Sequence, residues 1–241
     1  MYDNFSIIKE RYDKVYALLQ NSGFAKDIHP EESKIRLEQV IKDGQGQYLF
    51  NIKQDVDGVV EHNLDRNDVF IINRMGVFVA IKEDATGVER LYSYIPVNDG
   101  VHPSVHAAGF TTGAANTIYS GYLAWLLDNM QMLSAYPMEK FHKIPRQQGA
   151  FVLDSQDAAV SEGIQSEWDI DKAMELVVPR LTIAGTRDHK ISVNFPAAGL
   201  QFPTTSGYTA KLVLMLDGFL VKGGCEYKGG VNPFGDAVGQ W

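Results

Sequence analysis

Arg180-Leu181-Thr182-Ile183-Ala184 and His189-Lys190-Ile191-Ser192-Val193-Asn194-Phe195 alternate apolar and polar residues around Gly185-Thr186-Arg187-Asp188. A period of two sets Leu181 and Ile183 on one face of a strand and Ile191, Val193 and Phe195 on one face of the next. The Gly and Asp between them predict a β-hairpin turn. Ala210-Lys211-Leu212-Val213-Leu214-Met215-Leu216 follows and is apolar on both faces, which places it centrally in a sheet covered on both sides. Such a sheet needs a second layer.

Working outward, Ile8, Tyr12, Val15 and Leu19 recur at helical spacing, with Phe5 and Tyr16 widening the stripe and Lys9, Glu10, Asp13 and Lys14 opposite. This predicts an amphipathic helix over 4–22, capped by Asp3 or Asn4 and closed by Gly23. One helix cannot bury its stripe alone. It lies on the sheet of its own subunit or on a neighbouring molecule.

After a polar loop over 26–33, Ile35, Leu37, Gln39 and Ile41 lie on one phase of a strand, and Gly44-Gln45-Gly46 turns the chain into Tyr48-Leu49-Phe50-Asn51-Ile52. Val69 to Ile72 and Val77 to Ile81 flank Asn73-Arg74-Met75-Gly76, which reads as a second hairpin. With Leu91 to Ile95 the three strands form a meander, so the sheet is mainly antiparallel. Residues 117–132 fit a helix through Tyr119, Leu123, Leu126 and Leu127, or a strand with two apolar faces. The strand is favoured because Gly121 suits a helix poorly and Thr, Ile, Tyr and Trp suit a pleated surface. Asp128-Asn129 then turns the chain into Met130. Ser166-Glu167-Trp168-Asp169 resembles a capping box before a short helix over 170–177, which Pro179 ends.

Composition bounds the class. At 241 residues, 45% apolar and 22% charged, the chain is that of an ordinary globular protein able to bury a core as one large β domain. A net charge of -8 argues against extensive nucleic-acid binding. The longest basic neighbourhood, Lys140 to Arg146, reads as an exposed strand edge. No apolar run is long enough for a transmembrane helix, and an acidic N-terminus argues against a signal peptide. Cys225 is the only cysteine and reads as a tolerated free thiol, with no disulfide to form.

Candidate chemistry is sparse. His102 and His106 flank Pro-Ser-Val in a Gly-rich loop over 98–116, where two imidazoles share no helix face for a metal. Asp55-Val56-Asp57-Gly58 lacks the closing Glu of a calcium loop, since residue 66 is Arg, and reads as a turn. Tyr136 and Lys140 match the Tyr-x-x-x-Lys pair of short-chain dehydrogenases without their glycine fingerprint. Gly109 and Gly113 lack the Lys of a phosphate loop, and Asp55, Asp65 and Glu83 are scattered carboxylates. The chain is not expected to be an enzyme, and no cofactor or metal is expected.

Ile118 to Leu123, Met132-Leu133-Ser134-Ala135-Tyr136-Pro137-Met138-Glu139-Lys140-Phe141 and Ile144-Pro145-Arg146-Gln147-Gln148 resemble the jelly-roll capsid subunits of bacteriophages, and Pro179 to Lys222 is similar in character. In such subunits Pro- and Gly-rich corners join long strands, and a terminal helix and an arm tie neighbours together. About 16 strands for a double jelly roll would crowd this chain, so a single one is expected.

The expected fold is therefore mainly β: an antiparallel β-sandwich, jelly-roll-like, with an N-terminal amphipathic helix and a short helix near 167–177. Residues 1–25 form a helical arm, 26–222 the β-sandwich domain and 223–241 a Gly-rich C-terminal arm. The resemblance implies a self-assembling virion shell subunit, made in the host cytoplasm, whose partners are copies of itself and other virion proteins. Expected subunit contacts are Ile8, Tyr12, Val15 and Leu19 on the helix and Tyr227, Phe234 and Trp241 on the arm. A carbohydrate-binding sandwich using Trp125, Tyr92 and Tyr94 is one alternative. An enzyme of unrecognised type with a site near the 98–116 loop is the other.

Overall fold

The computed structural model describes residues 4–21, 29–52, 64–93, 117–128, 130–143, 147–148, 165–166, 170–196, 199–200 and 206–225. Helix α1 (Asn4–Asn21) precedes strands β1 (Glu31–Val40), β2 (Gln47–Ile52), β3 (Val69–Glu83), β4 (Glu89–Tyr92), β5 (Tyr122–Leu127) and β6 (Met130–Pro137). A 3-10 turn (Met138–Phe141), two short strands β7 (Gln147–Gln148) and β8 (Gln165–Ser166), and helix α2 (Ile170–Ala173) come next. Strands β9 (Glu175–Ala184), β10 (His189–Asn194) and β11 (Tyr208–Val221) follow.

Two antiparallel sheets face each other. The first runs β1-β11-β3, with β4 and β9 pairing opposite ends of the far side of β3; the second runs β2-β10-β5-β6. The pairings are nested along the chain: β5 with β6, β3 with β9, β2 with β10 and β1 with β11. A hairpin ribbon rolled up in this way, with its pairs split between two sheets, is the jelly roll.

The core explains the arrangement. Ile35 and Leu37 of β1, Phe70, Ile72, Val77 and Val79 of β3, and Leu212, Leu214 and Leu216 of β11 point inward from the first sheet. Tyr48 and Phe50, Leu123 and Trp125, and Ile191 and Val193 meet them from the second. As expected, β11 is central, lying between β1 and β3. Its outward residues are buried too, since α1 and α2 cover that face.

The structure redraws several connections. Asn73-Arg74-Met75-Gly76 is not a turn: β3 runs straight through it, with Asn73 as an extra residue where the register with β11 slips. The slip coincides with Gly218, where a Cβ would stand 1.9 Å from the Ile71 carbonyl oxygen. The expected meander is therefore the single hairpin of β3 and β4.

Gly185 to Asp188 does not close a hairpin either. It lifts the chain from β9 in the first sheet to β10 in the second, so Leu181 and Ile183 face Ile191 and Val193 across the core instead of lying beside them. Alternating strands whose apolar faces can meet across a core are as well served by this arch as by lateral pairing.

Helix α2 ends at Ala173, and β9 already begins at Glu175. Pro179 therefore sits within β9, where its pairing with β3 jumps from Leu181 to Leu176 and no donor is needed. Lys140 and Phe141 belong to the 3-10 turn, with Phe141 buried, not to a strand edge. Ile118 and Tyr119 form a buried helical turn, and the favoured strand begins at Tyr122. Glu31 to Ser33, expected in a loop, start β1. Residues 55–58, 98–116 and 226–241 lie outside the described residues.

Candidate assembly surfaces

The stripe of α1 packs on the chain's own first sheet. Val15 and Leu19 are buried against Val69, Ile71, Phe219 and Val221, with Ile8 and Tyr12 beside them. The Tyr12 ring meets Phe219 edge to face with centroids 5.4 Å apart. Arg11 donates to the carbonyls of Asn73 at 3.2 Å and Val177 at 3.0 Å, which ties the helix to β3 and β9. Of the four helix residues expected at a subunit contact, Val15 and Leu19 are buried against their own sheet, and Ile8 and Tyr12 are partly buried beside them. Tyr227, Phe234 and Trp241 lie outside the described residues.

Beyond the helix, the outer face of the first sheet carries a buried ion pair. Arg74 Nε donates to Asp217 Oδ2 at 2.7 Å. The pair separates the cluster beneath α1 from a second one in which Ala173 and Met174 cover Phe78, Ala80, Val213 and Met215. Further along, Lys211 Nζ bridges Glu38 at 2.6 Å and Glu89 at 3.0 Å, and Arg36 joins both carboxylates. Burial works against the Glu89 charge, yet Lys211 and Arg36 hold its carboxyl below the ordinary value. Burial likewise opposes the Lys211 charge, and Glu38 and Glu89 outweigh it to raise that pKa. These ions hold three strands together across the sheet.

The second sheet is different. On its outer face Leu49 of β2 and Tyr122 and Leu126 of β5 are exposed, interleaved with Gln47, Ser192, Asn194 and Lys190. Met130 at the start of β6 is 53% exposed. Among the described residues no helix covers this face. Its apolar members were legible as the second phase of the 122–127 alternation, while Leu49 was read only as part of a strand.

Other candidate chemistry resolves as structure or falls outside the description. Trp125 is 2% exposed and Tyr92 is 6% exposed, both in the core, and Tyr94, His102 and His106 lie outside the described residues. Lys140 Nζ stands 4.8 Å over the Tyr136 ring, a surface cation–π contact. Cys225 Sγ donates to the Asp68 carbonyl at 3.3 Å. Glu83 accepts from Thr86 Oγ1 at 2.7 Å and braces the β3–β4 turn. Among the described residues no cluster of three His, Cys, Asp or Glu could hold a metal ion, and no helix is long and apolar enough to cross a membrane.

The fold and these surfaces define a β-sandwich with jelly-roll pairing, one sheet sheathed by helices and the other uncovered by any helix among the described residues. Compared with known proteins, the chain matches no family model and no curated sequence.

Proposed function

We infer that the chain is a self-assembling structural protein, a subunit of a virion shell. The observation that carries the reading is the nested eight-strand pairing, in which an interior filled by Trp125, Tyr48, Phe50, Phe70 and their neighbours leaves the outer surfaces and edges for recognition. Jelly rolls serve as shell subunits and as lectins, so surface features must choose between them. The outer face of the second sheet, with exposed Leu49, Tyr122 and Leu126, suits contact with protein. Sugar stacking loses two of its three candidates, because Trp125 and Tyr92 are core residues.

On this reading the partners are copies of the chain and other virion proteins, and its place is the virion after synthesis in the host cytoplasm. Negative-stain electron microscopy of the purified chain tests it, with a glycan array in parallel. Rings or particles of regular size support assembly. Glycan retention by a dispersed monomer would replace the reading with the carbohydrate-binding one.

A further inference from the structure

Among the described residues, the edge strands of the two sheets are not equally protected. Strand β1 carries Glu31, Glu32, Lys34, Arg36 and Glu38, β4 is short and carries Glu89 and Arg90, and β9 carries Glu175 and Pro179. Charges, Pro and short length all discourage a foreign strand from adding on. Strand β6 is uncharged, but its register with β5 slips twice, which twists its edge. Strand β2 has none of these devices: Gln47-Tyr48-Leu49-Phe50-Asn51-Ile52 is uncharged and runs in unbroken register with β10.

The hydrogen-bond phase shows which residues serve the open side. Phe195 N donates to Gly46 O at 2.9 Å. Antiparallel pairs alternate, so Tyr48, Phe50 and Ile52 bond to β10, while Gln47, Leu49 and Asn51 turn their N–H and C=O groups outward. The Gln45 side-chain amide donates to the Gln47 carbonyl at 2.7 Å, capping one end of this row.

We propose that β2 pairs antiparallel with β2 of a second copy, about a two-fold axis beside Leu49, giving one eight-stranded sheet. The inference rests on the assembly reading and supplies its contact. Side chains keep their faces only if outward residues oppose outward residues. That sets Leu49 opposite its own counterpart, Gln47 opposite Asn51 of the second copy, and Tyr48 opposite Phe50 of the second copy.

This register is self-complementary, which favours a copy of the chain over an unrelated strand. Leu49, 44% exposed, covers Leu49 of the second copy. Gln47, whose Nε2 donates to Asn194 Oδ1 at 2.8 Å within the subunit, and Asn51 are both uncharged, so setting one opposite the other brings no like charges together. The chain carries a net charge of -8, so copies repel over most of their surface, yet no charge meets a like charge along this strand. A junction of six residues falls short of the standard interface of about 1,600 Å², so the contact depends on concentration.

Two variants test the pairing. Leu49→Lys places charge at the axis on an exposed side chain and leaves the bonds to β10 intact. Leu49→Cys in a Cys225→Ser background sets two thiols across the axis, where paired Cα atoms lie about 5.5 Å apart, within disulfide reach. Ser192→Cys in the same background is the control, since three strand spacings of roughly 4.8 Å separate its two copies.

The expected results are a wild-type mass that rises with concentration in sedimentation velocity, a dimer dissociation constant raised at least about ten-fold by Leu49→Lys, and oxidative cross-linking of Leu49→Cys but not of Ser192→Cys. Wild-type assembly that Leu49→Lys leaves unchanged, or Leu49→Cys cross-linking no better than the control, overturns the β2 pairing and leaves self-assembly standing. A wild-type chain that stays monomeric at every concentration overturns both.

Discussion

The indole Nε1 of Trp125 donates to Nδ1 of His189 across 3.3 Å, inside the sandwich. The Ala184 N–H points at the other ring nitrogen, also at 3.3 Å. A neutral imidazole has one bare nitrogen, so the ring accepts from one of these two donors and turns its own N–H toward the other. Protonation would remove the one acceptor left, at the point where the arch from β9 to β10 leaves the first sheet.

Acid sensitivity follows. Burial pushes the His189 pKa from 6.5 down to about 4, with Arg187 adding to the effect and the Ala184 backbone, Asp128 and Asp188 opposing it. A group whose folded pKa is lowered in this way leaves the proton to the unfolded chain. Its stabilising contribution is complete above 6.5 and is lost as pH falls through that window. Urea unfolding of the wild type should lose about 3 kcal/mol more than His189→Gln between about pH 7 and about pH 4. Parallel pH profiles would contradict this.

Removing one member of the buried Arg74–Asp217 pair takes a buried opposite charge from the other. Asp217→Leu should cost about 3–5 kcal/mol of stability in urea unfolding, and Arg74→Met with Asp217→Leu should recover most of it. Equal losses in the single and double variants would show that the pair is not coupled.

Leu19 separates packing within the subunit from packing between subunits. Because it is fully buried beneath its own sheet, Leu19→Ala should lower unfolding free energy by about 2–4 kcal/mol. It should leave the concentration dependence of association unchanged. A loss of association with stability retained would return α1 to the interface.

Gly218 sits where the β3–β11 register slips, and an added Cβ would collide with the Ile71 carbonyl. Gly218→Ala should destabilise by at least about 2 kcal/mol, through displaced backbone and not through lost apolar area. Calorimetry of the purified variant reads this directly.

Much of the fold could be read from residue pattern. The double apolar face of 210–216 announced a central strand, and the alternation in 181–183 and 191–195 announced two more. What alternation cannot carry is the partner of each strand. Leu181 and Val193 keep the same places in their own alternations whether the two strands pair side by side or face each other across a core. Asn73 and Gly76 look like turn residues, and Asp217, far along the chain, supplies a counter-charge for Arg74 within an extended strand. The α1 stripe was legible to the residue, but a stripe does not say whose sheet will cover it. The edge character of β2 was hidden for the same reason: Gln47 to Ile52 reads as any half-buried strand until its neighbours are known.

The proposed function requires this jelly roll to assemble with its own copies. Sedimentation equilibrium of the full chain over a wide concentration range measures it most directly. The weight-average mass should climb from 26.8 kDa toward multiples of it as concentration rises. A mass that holds at 26.8 kDa throughout would contradict it.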